Sequence, residues 1–400
     1  MEYNFDHILV RYGELSLKGK NRKLFIKRLH KNIKEALSDF ENLSYKVLFD
    51  RFFINLNGED VDKIIPILKQ VHGLISFSPA LKLETDPDKI VDAAYSLVEN
   101  DIEAKTFKII PKRKDKNLPF RSDDIIEKLA RKILENTSLK VDVRNFDLGI
   151  MIEMNTNDTY IMAKVYQGAG GYPTGISGKA MLLLSGGIDS PVAGNLIQKR
   201  GMYLEAIHFV SPPYTSEESL DKTIRLGKKI SLNQKDLRVF VVPFTKLQLA
   251  IHKHVDESYE ITIMRRMMFR IAESLAKKHK CKALVTGESL GQVSSQTIES
   301  ISVINDVTKL PVLRPLISMD KYEIIKHARR LNTYKTSIEP FEDACTIFNP
   351  KNPITKPRLR ECEMYESFFD YQSLVEECVE NTEVKVVRYR DVNSEEIQLF

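Results

Sequence analysis

Short apolar runs and amphipathic stretches alternate along the first 85 residues and predict a small α/β domain. The elements follow in the order β-α-β-β-α-β, which is typical of a ferredoxin-like domain. They are a strand from Phe5 to Arg11, a helix from Asn21 to Leu37, two short strands between Tyr45 and Leu56, a helix from Asp60 to Val71 and a strand from Ile75 to Leu83.

A second α/β unit follows, and a glycine-rich stretch separates it from the rest of the chain. Its predicted helices lie near Ile90 to Asn100 and Ser122 to Leu134, and its strands at Thr106 to Pro111, Leu148 to Met154 and Thr159 to Tyr166. Between Gln167 and Gly178 there are five glycines and one proline, which indicates a domain boundary. The predicted domains are 1–76, 77–167 and 179–400, with a linker at 168–178.

The stretch from Met181 to Pro191, MLLLSGGIDSP, predicts a buried strand, a glycine turn and a helix. Ser190 is the predicted N-cap, and Pro191 takes the first helical position, where a missing N–H costs nothing. Such a turn directs backbone N–H groups and the positive end of the helix dipole to one spot, which suits a phosphate or pyrophosphate. A plain strand-turn-helix corner is the alternative. The predicted phosphate-binding residues are Ser185, Gly186, Gly187 and Ser190.

After this loop, strands and helices alternate, and the pattern predicts a doubly wound parallel sheet. Ligands of such sheets bind at the carboxyl ends of the strands. His208 and Phe209 close one strand, and the small, polar run TGESLGQVSSQT follows another. A long helix from Tyr259 to Lys278 carries a methionine stripe, interpreted as core, and Arg265 or Arg266 must point away from it. The predicted nucleotide contacts are Leu183, Leu184, His208, Phe209, Arg265, Gly287 and Gln296.

Two further segments contain candidates for chemistry. Asp320 is a predicted N-cap, and Lys321 in the first turn opposes the helix dipole unless an anion binds there; a solvated lysine is the alternative. Cys345 lies in FEDACTIF, before a proline-rich stretch, where a mobile thiol could attack and retreat. Cys281 is expected in the core, whereas Cys362 and Cys378 could be core or reactive.

Charge and cysteine usage narrow the class of protein. The net charge is +5, and no stretch is long and apolar enough to suggest a membrane span or an export signal. The four cysteines form neither a disulfide framework nor a metal pattern, which indicates a reducing cytoplasm. Basic residues cluster at Arg11 to Lys34 and Lys105 to Lys116, which predicts contacts with a nucleic-acid backbone; solvated helix faces are the alternative.

Several motifs together resemble the tRNA 4-thiouridine synthetase family, which is also linked to thiamine biosynthesis. SGGIDS alone resembles the loop of the PP-loop ATP pyrophosphatases, and Asp189 stands where a Walker loop would supply lysine. The succession of motifs covers nearly the whole chain. The motifs are RYGELSLKGKNR, GGYPTGISGK, SGGIDSPVAG, HFVSPPYTSE, ITIMRRMMFRIAE, LVTGESLGQVSSQT and EDACTIFNP.

The resemblance implies a fold and a reaction. The fold is an N-terminal ferredoxin-like domain, a THUMP RNA-binding domain and a C-terminal PP-loop domain. The reaction adenylates O4 of uridine 8 in tRNA with ATP and Mg²⁺, and sulfur then replaces the activated oxygen. The implied partners are tRNA, a cysteine desulfurase as persulfide donor and a sulfur-carrier protein of thiazole synthesis. A homodimer is left open.

The resemblance also implies roles for individual residues. It assigns the relay of sulfur to Cys345. From the residues themselves, Asp189 is expected to hold the metal or orient the attack, and Lys321 is a further candidate catalytic residue. Relatives with a rhodanese-like domain receive the persulfide there, and this chain is expected to lack it, so the thiol that resolves the intermediate stays open. The tRNA contacts are expected at Lys18, Lys20, Arg22, Lys112, Arg113, Lys114 and Arg121.

Two rival hypotheses remain at this point. A PP-loop ligase that adenylates a small substrate would need neither upstream basic cluster. An RNA-binding protein with an inert ATPase relic would not need Ser185, Asp189 and Ser190 intact.

Overall fold

The computed structural model describes residues 4–12, 15, 19–48, 51–99, 104–341, 350 and 352–389. The chain divides into two compact units, Met1–Gly171 and Tyr172–Phe400. Lys18 and Cys345, two of the predicted functional residues, lie outside the described residues.

The N-terminal unit contains both predicted α/β patterns. Its helices are α1 (Arg22–Ala36), α2 (Val61–Gln70), α3 (Pro87–Glu99) and α4 (Ser122–Asn136). Its strands are β1 (His7–Arg11), β2 (Ser44–Val47), β3 (Arg51–Asn55), β4 (Ser76–Glu84), β5 (Thr106–Arg113), β6 (Lys140–Val141), β7 (Leu148–Met154), β8 (Asp158–Met162) and β9 (Tyr166–Gln167).

One continuous sheet runs through this unit. Among the described residues, its strand order is β2-β3-β1-β4-β8-β7-β5-β6, and β9 also pairs with β4. The first four strands are antiparallel, in the order and direction of a ferredoxin-like domain. Strand β4 pairs with β1 along Ser76–Ala80 and with β8 along Leu81–Glu84, so it belongs to both halves of the sheet.

Amphipathic helices cover this sheet. Helix α4 buries Ile125, Leu129 and Ile133, which recur every four residues and so lie on one face. Asp124 accepts a hydrogen bond from the Arg121 N–H at 2.7 Å, which caps the start of the helix. The predicted helices and most strands are confirmed here to within a few residues. The strand predicted from Thr159 to Tyr166 is instead two strands, β8 and β9, which pair with different parts of β4, and β6 was not predicted.

The C-terminal unit contains the phosphate loop. Its helices are α5 (Asp189–Lys199), α6 (Glu217–Ile230), α7 (Thr245–His254), α8 (Glu260–Lys278), α9 (Ile298–Asn305), α10 (Lys321–Arg330), α11 (Tyr334–Ser337), α12 (Leu359–Glu366) and α13 (Tyr371–Glu380). Its strands are β10 (Lys179–Leu183), β11 (Tyr203–Val210), β12 (Leu237–Pro243), β13 (Leu284–Val285), β14 (Val312–Leu313) and β15 (Glu383–Val387).

The sheet of this unit is parallel except at one edge. Within the described part of the chain, the strand order is β14-β13-β10-β11-β12-β15, and β15 pairs antiparallel with β12. The sheet is covered on both faces by helices, as a doubly wound fold requires. The antiparallel edge strand was not predicted. The carboxyl ends of β10, β11 and β13 lie side by side, and this edge positions the candidate site.

The start of α5 differs from the sequence prediction. The helix begins at Asp189, not at Pro191, and Ser190 is inside it rather than at the N-cap. Ile188 already has helical backbone angles, so the turn enters the helix without an extended capping residue. The Ser190 hydroxyl is instead bonded to the loop, as described below.

Candidate nucleotide site

The phosphate loop between β10 and α5 is held by two serine hydroxyls. The Ser185 N–H donates to Ser190 Oγ at 2.9 Å, and Ser190 Oγ donates to the Ser185 carbonyl at 3.1 Å. The Gly187 N–H lies 3.3 Å from Ser185 Oγ. Two loop N–H groups that were expected to be orphan donors therefore have partners inside the loop. The hydroxyls fix the loop so that its small residues leave the start of α5 open to an anion.

Asp189 forms a charged pair beside this loop. The Lys321 ammonium group is 2.8 Å from Asp189 Oδ1, and Gln292 Nε2 donates to Asp189 Oδ2 at 3.0 Å. Lys321 opens α10, whose start is fixed by a capping box between Asp320 and Glu323. The predicted N-cap at Asp320 is thus confirmed, and the structure brings the two predicted catalytic residues into contact.

Gly287 connects β13 to the phosphate loop at very close range. A Cβ atom on Gly287 would lie 2.8 Å from both the Asp189 carbonyl carbon and the Ser190 nitrogen. These are backbone atoms, which cannot move aside as a flexible side chain can. Only glycine allows the end of β13 to pack this tightly on the start of α5.

The carboxyl ends of β10, β11 and β13 and one face of α8 enclose a cavity above the loop. Most of the predicted nucleotide residues meet there. Gly186, Gly187 and Lys321 are not among the described residues that line it, although Gly187 and Lys321 contact residues that do. The predicted residues in the lining are Leu183, Leu184, Ser185, Asp189, Ser190, His208, Phe209, Arg265, Gly287 and Gln296.

Two buried polar side chains shape this cavity. His208 is 3% exposed, and its Nδ1 lies 3.0 Å from the Leu184 carbonyl. Because a carbonyl only accepts, that ring nitrogen carries the proton. Gln296 Oε1 accepts from the Ser289 N–H at 3.2 Å, which orients its amide. Their roles in nucleotide binding stay predictions.

The sequence analysis missed several residues of the lining. Met268 and Phe269 were assigned to the core or passed over, yet both face the cavity. The spacing of these residues could have identified them, because they lie three and four residues after Arg265 and so share its helical face. Ile207 was also missed, whereas Thr286 and Glu288 belong to the polar run TGESLGQVSSQT, which was expected to contact a ligand without these two residues being singled out.

The two adjacent arginines of α8 have different environments. Arg266 is 1% exposed and donates from Nε to Glu366 at 2.7 Å, so it is a buried structural partner of α12. Arg265 lines the cavity and donates to Glu288 at 2.6 Å. Of the pair, Arg265 is therefore the one that faces the cavity, and its contact with a nucleotide stays a prediction.

The described cysteines are poor nucleophiles. Cys281, Cys362 and Cys378 are buried. Burial raises the pKa of the Cys281 and Cys378 thiols to about 12, and that of Cys362 to about 11. Such thiols are protonated at neutral pH, which disfavours Cys362 as a second reactive thiol.

This environment predicts the outcome of alkylation. At pH 8, a thiol pKa of about 11 leaves roughly one molecule in a thousand as thiolate. We expect iodoacetamide to spare Cys281, Cys362 and Cys378 in the folded protein and to modify all three once guanidinium unfolds it. Peptide mass spectrometry reads out each site. Rapid labelling of Cys362 in the folded chain would contradict this description and make Cys362 a candidate for the second reactive thiol.

In the N-terminal unit, the first basic cluster forms a surface of α1. Lys23, Lys27, Lys31 and Lys34 are exposed and spaced for one face of the helix, and Lys20 is exposed just before it. Arg22 is half-buried. Arg11, by contrast, donates to Ser78 Oγ at 3.0 Å inside the sheet.

The second basic cluster covers the end of β5 and the turn that follows it. Lys112, Lys114 and Arg121 are exposed, but Arg113 donates to the Lys116 carbonyl at 2.7 Å and folds the turn. Asp115 accepts from the Asn117 N–H and the Thr156 hydroxyl, and these hydrogen bonds lower its pKa. Arg113 is thus a weaker candidate for RNA contact than its neighbours.

Two general properties complete the description. None of the helices in the described ranges is long and apolar enough to cross a membrane. The described residues also contain no cluster of three or more histidine, cysteine, aspartate or glutamate side chains that could hold a metal ion by themselves.

Comparison with protein families gives three consecutive matches. Residues 7–78 match the ThiI ferredoxin-like domain, residues 84–164 match the THUMP domain, and residues 175–371 match the family described as Thiamine biosynthesis protein (ThiI).

Similar whole proteins and structures are also found. The chain is 49% identical to the probable tRNA sulfurtransferase of Bacillus pumilus (strain SAFR-032), over 96% of each chain. It is 46% identical to that of Bacillus subtilis (strain 168), over 99% of this chain and all of the relative. A crystal structure of a 4-thiouridine synthetase–RNA complex with bound ATP matches with a TM-score of 0.89 and 37% identity, over 96% of this chain and 100% of that one.

Proposed function

Because this chain belongs to the ThiI family of tRNA sulfurtransferases, we propose that it converts the uridine at position 8 of tRNA to 4-thiouridine with ATP as co-substrate. The observation that carries the proposal is the contact of Asp189 with Lys321 at the mouth of a cavity built on the phosphate loop. This arrangement offers a candidate anion site, a cavity and a charged pair at one edge of the sheet.

The first step activates the base. The uridine O4 attacks the α-phosphorus of ATP, and pyrophosphate leaves. In our proposal the phosphate loop and the start of α5 bind the departing pyrophosphate, and Lys321 stabilises the negative charge that develops. The adenylated oxygen can then leave C4 as AMP, whereas an unactivated oxygen could not.

The second step transfers sulfur. A persulfide on Cys345 adds its terminal sulfur to C4 and displaces AMP, which leaves the base joined to Cys345 through an S–S bond. A second thiol must cleave that bond to release 4-thiouridine. Since Cys281, Cys362 and Cys378 are buried and protonated, we propose that this thiol comes from a partner protein or a small-molecule thiol.

The donor set at the loop also suits Mg²⁺. Asp189 supplies one carboxylate at the loop, and a magnesium ion commonly takes one or two carboxylates together with substrate phosphate oxygens. Both oxygens of Asp189 accept from Lys321 and Gln292 here, so a bound ion would replace at least one of these donors. Asp189 would hold the ion together with those phosphates. A bound Mg²⁺ supplies charge neutralisation on the pyrophosphate.

The proposal also covers binding partners, cellular location, oligomeric state and domain boundaries. We propose tRNA, a cysteine desulfurase and a sulfur-carrier protein of thiazole synthesis as partners, a reaction in the cytoplasm, and a homodimer as one arrangement for presenting tRNA. The domain boundaries stay at 1–76, 77–167, 168–178 and 179–400 in this proposal. The family matches at 7–78, 84–164 and 175–371 support that division.

The experiment that tests the function compares two tRNAs. The full chain, ATP and Mg²⁺ are incubated with unmodified tRNA or with the same tRNA carrying cytidine at position 8, and the pyrophosphate released by the first step is quantified. We expect pyrophosphate to form with the first tRNA and to stay at background with the second. Pyrophosphate release that does not depend on tRNA would favour a small-substrate ligase and overturn the proposal.

Two exposed lysines, Lys112 at the end of β5 and Lys114 in the turn that follows, give a prediction for tRNA binding. Lys112→Glu/Lys114→Glu should lower tRNA affinity about tenfold at 0.1 M salt and reduce the slope of log affinity against log salt by about two, one per lost phosphate contact. Filter binding at several salt concentrations measures both.

The matched control for this prediction is Lys128→Glu. Lys128 is an exposed lysine of α4 that pairs with Asp88 at 2.9 Å. It should leave the salt slope unchanged. An unaltered slope in Lys112→Glu/Lys114→Glu would exclude the turn from the tRNA-binding surface.

A further inference from the structure

Glu288 is a buried carboxylate in the wall of the nucleotide cavity. Its side chain is 3% exposed. A buried carboxylate is costly unless hydrogen-bond donors or cations satisfy it. Arg265 Nη1 donates to Oε1 at 2.6 Å, while Arg314 Nε and the Thr286 hydroxyl donate to Oε2 at 2.6 Å and 2.9 Å.

Arg314 is held from both sides. Its Nε bonds Glu288, and its Nη1 and Nη2 each lie 3.2 Å from Asn305 Oδ1 at the end of α9. The Arg314 side chain is 13% exposed and is not among the described residues that line the cavity. Arg314 therefore contacts the cavity wall from behind, through Glu288.

The charges of this cluster decide its effect on an anionic ligand. Arg265 and Arg314 contribute two positive charges and Glu288 one negative charge, so the cluster has a net charge of +1. Without Arg314, Arg265 and Glu288 would cancel, and a carboxylate would face the phosphates of ATP with no surplus cation. Arg265 is 24% exposed and lines the cavity, so it carries the surplus charge to the ligand.

Glu288 also affects the phosphate loop through its neighbour. Gly287 lies so near the backbone of Asp189 and Ser190 that an added Cβ would come within 2.8 Å of it. A carboxylate fixed by donors from α8, from the residue after β14 and from Thr286 keeps that backbone in place. Because Gly287 precedes Glu288 directly, a shift of Glu288 would also displace the phosphate loop on which Gly287 packs.

We infer that Arg314 is a positioning residue of the nucleotide site, which neutralises and holds Glu288 so that the charge of Arg265 is available to the phosphates of ATP. This inference rests on the proposed function. Arg314 touches neither the nucleotide nor the reacting atoms, and it acts through Glu288 and Arg265.

The test measures nucleotide binding to the full chain, without tRNA. Radiolabelled ATP is bound in equilibrium dialysis, and adenosine is the uncharged competitor at up to millimolar concentration. We expect Arg314→Gln to lower the affinity for ATP about 30-fold, because one partner of a buried charge pair is lost. The affinity for adenosine should fall by less than about threefold.

A double variant separates charge from packing. Arg314→Gln/Glu288→Gln removes both charges and restores the net +1, so ATP affinity should return to within about fivefold of the wild type. A merely structural role would make the double variant no better than the single one. Asn305→Ala keeps every charge but removes the hydrogen-bond acceptor that holds Arg314. It should lower the affinity for ATP about threefold.

The outcomes are distinct. Equal losses for ATP and adenosine, a double variant as weak as Arg314→Gln, or unchanged ATP affinity in Arg314→Gln would each overturn the inference. If Arg314→Gln does not fold, as judged by its thermal unfolding, Asn305→Ala decides by the same ATP-to-adenosine comparison. If the wild type binds no ATP, the proposed function fails as well.

Discussion

Asp189→Asn should lower the rate of tRNA thiolation about 1,000-fold while tRNA affinity changes by less than about twofold. The substitution keeps the side-chain volume but removes the charge that pairs with Lys321 at 2.8 Å. Asp189 belongs to the phosphate loop of the C-terminal unit, whereas both basic clusters belong to the N-terminal unit. Single-turnover thiolation and filter binding measure the two quantities on one preparation.

Asp221→Asn is the matched control for Asp189→Asn. Asp221 is an exposed aspartate of α6 in the same unit, paired with Arg225 at 2.9 Å. Its replacement should change neither rate nor affinity, because Asp221 is exposed, Arg225 keeps its pairing with Glu339, and neither Asp221 nor Arg225 lines the cavity. Equal losses of thiolation and tRNA binding in Asp189→Asn would contradict the separation of catalysis from RNA binding.

Gly287→Ala should have the second largest effect. The new Cβ would lie 2.8 Å from backbone atoms of Asp189 and Ser190, so the end of β13 and the phosphate loop must move apart. Overpacking of this kind costs about 1–3 kcal/mol of the free energy of unfolding. A shift of reacting groups by a fraction of an ångström should also lower the thiolation rate about 100-fold.

Gly227→Ala is the control for this glycine substitution. Gly227 lies within α6, and a Cβ there would meet its neighbours, Leu237 and Val387, at 3.5 Å, an ordinary contact. Because alanine favours a helix over glycine, the variant should be as stable as the wild type or more stable. Guanidinium unfolding and thiolation rates compare the two variants. Normal activity in Gly287→Ala would show that the close packing of β13 on the loop is dispensable.

The sequence predicted those parts of the site that local chemistry encodes. A glycine turn after a buried strand indicated the loop between β10 and α5, and Asp320 as a predicted N-cap indicated the start of α10. The capping box that Asp320 forms with Glu323 was seen only in the structure. The contact of Asp189 with Lys321 joins residues 132 positions apart. The sequence motifs identified each residue as a candidate but could not show that they contact each other, since only the folded sheet brings α5 and α10 together.

Other parts of the site depend on tertiary structure that no local pattern encodes. Glu288 looked like one polar residue in a polar loop, and its role follows from Arg265 and Arg314, which reach it from α8 and from the residue after β14. Ser190 was assigned as an N-cap because serine favours that position, yet its hydroxyl holds the Ser185 backbone. The edge strand β15 pairs with a strand about 140 residues earlier, beyond what periodicity can show.

The most direct test of the central claim is sulfur incorporation into unmodified tRNA. The full chain is supplied with ATP, Mg²⁺, cysteine and a cysteine desulfurase, and the near-ultraviolet absorbance of 4-thiouridine is followed for the wild type and Cys345→Ser. We predict absorbance that requires ATP, appears with the wild type and is lost in Cys345→Ser. Absorbance that persists in Cys345→Ser would contradict the relay role of that thiol, and its absence from the complete wild-type reaction would contradict tRNA thiolation itself.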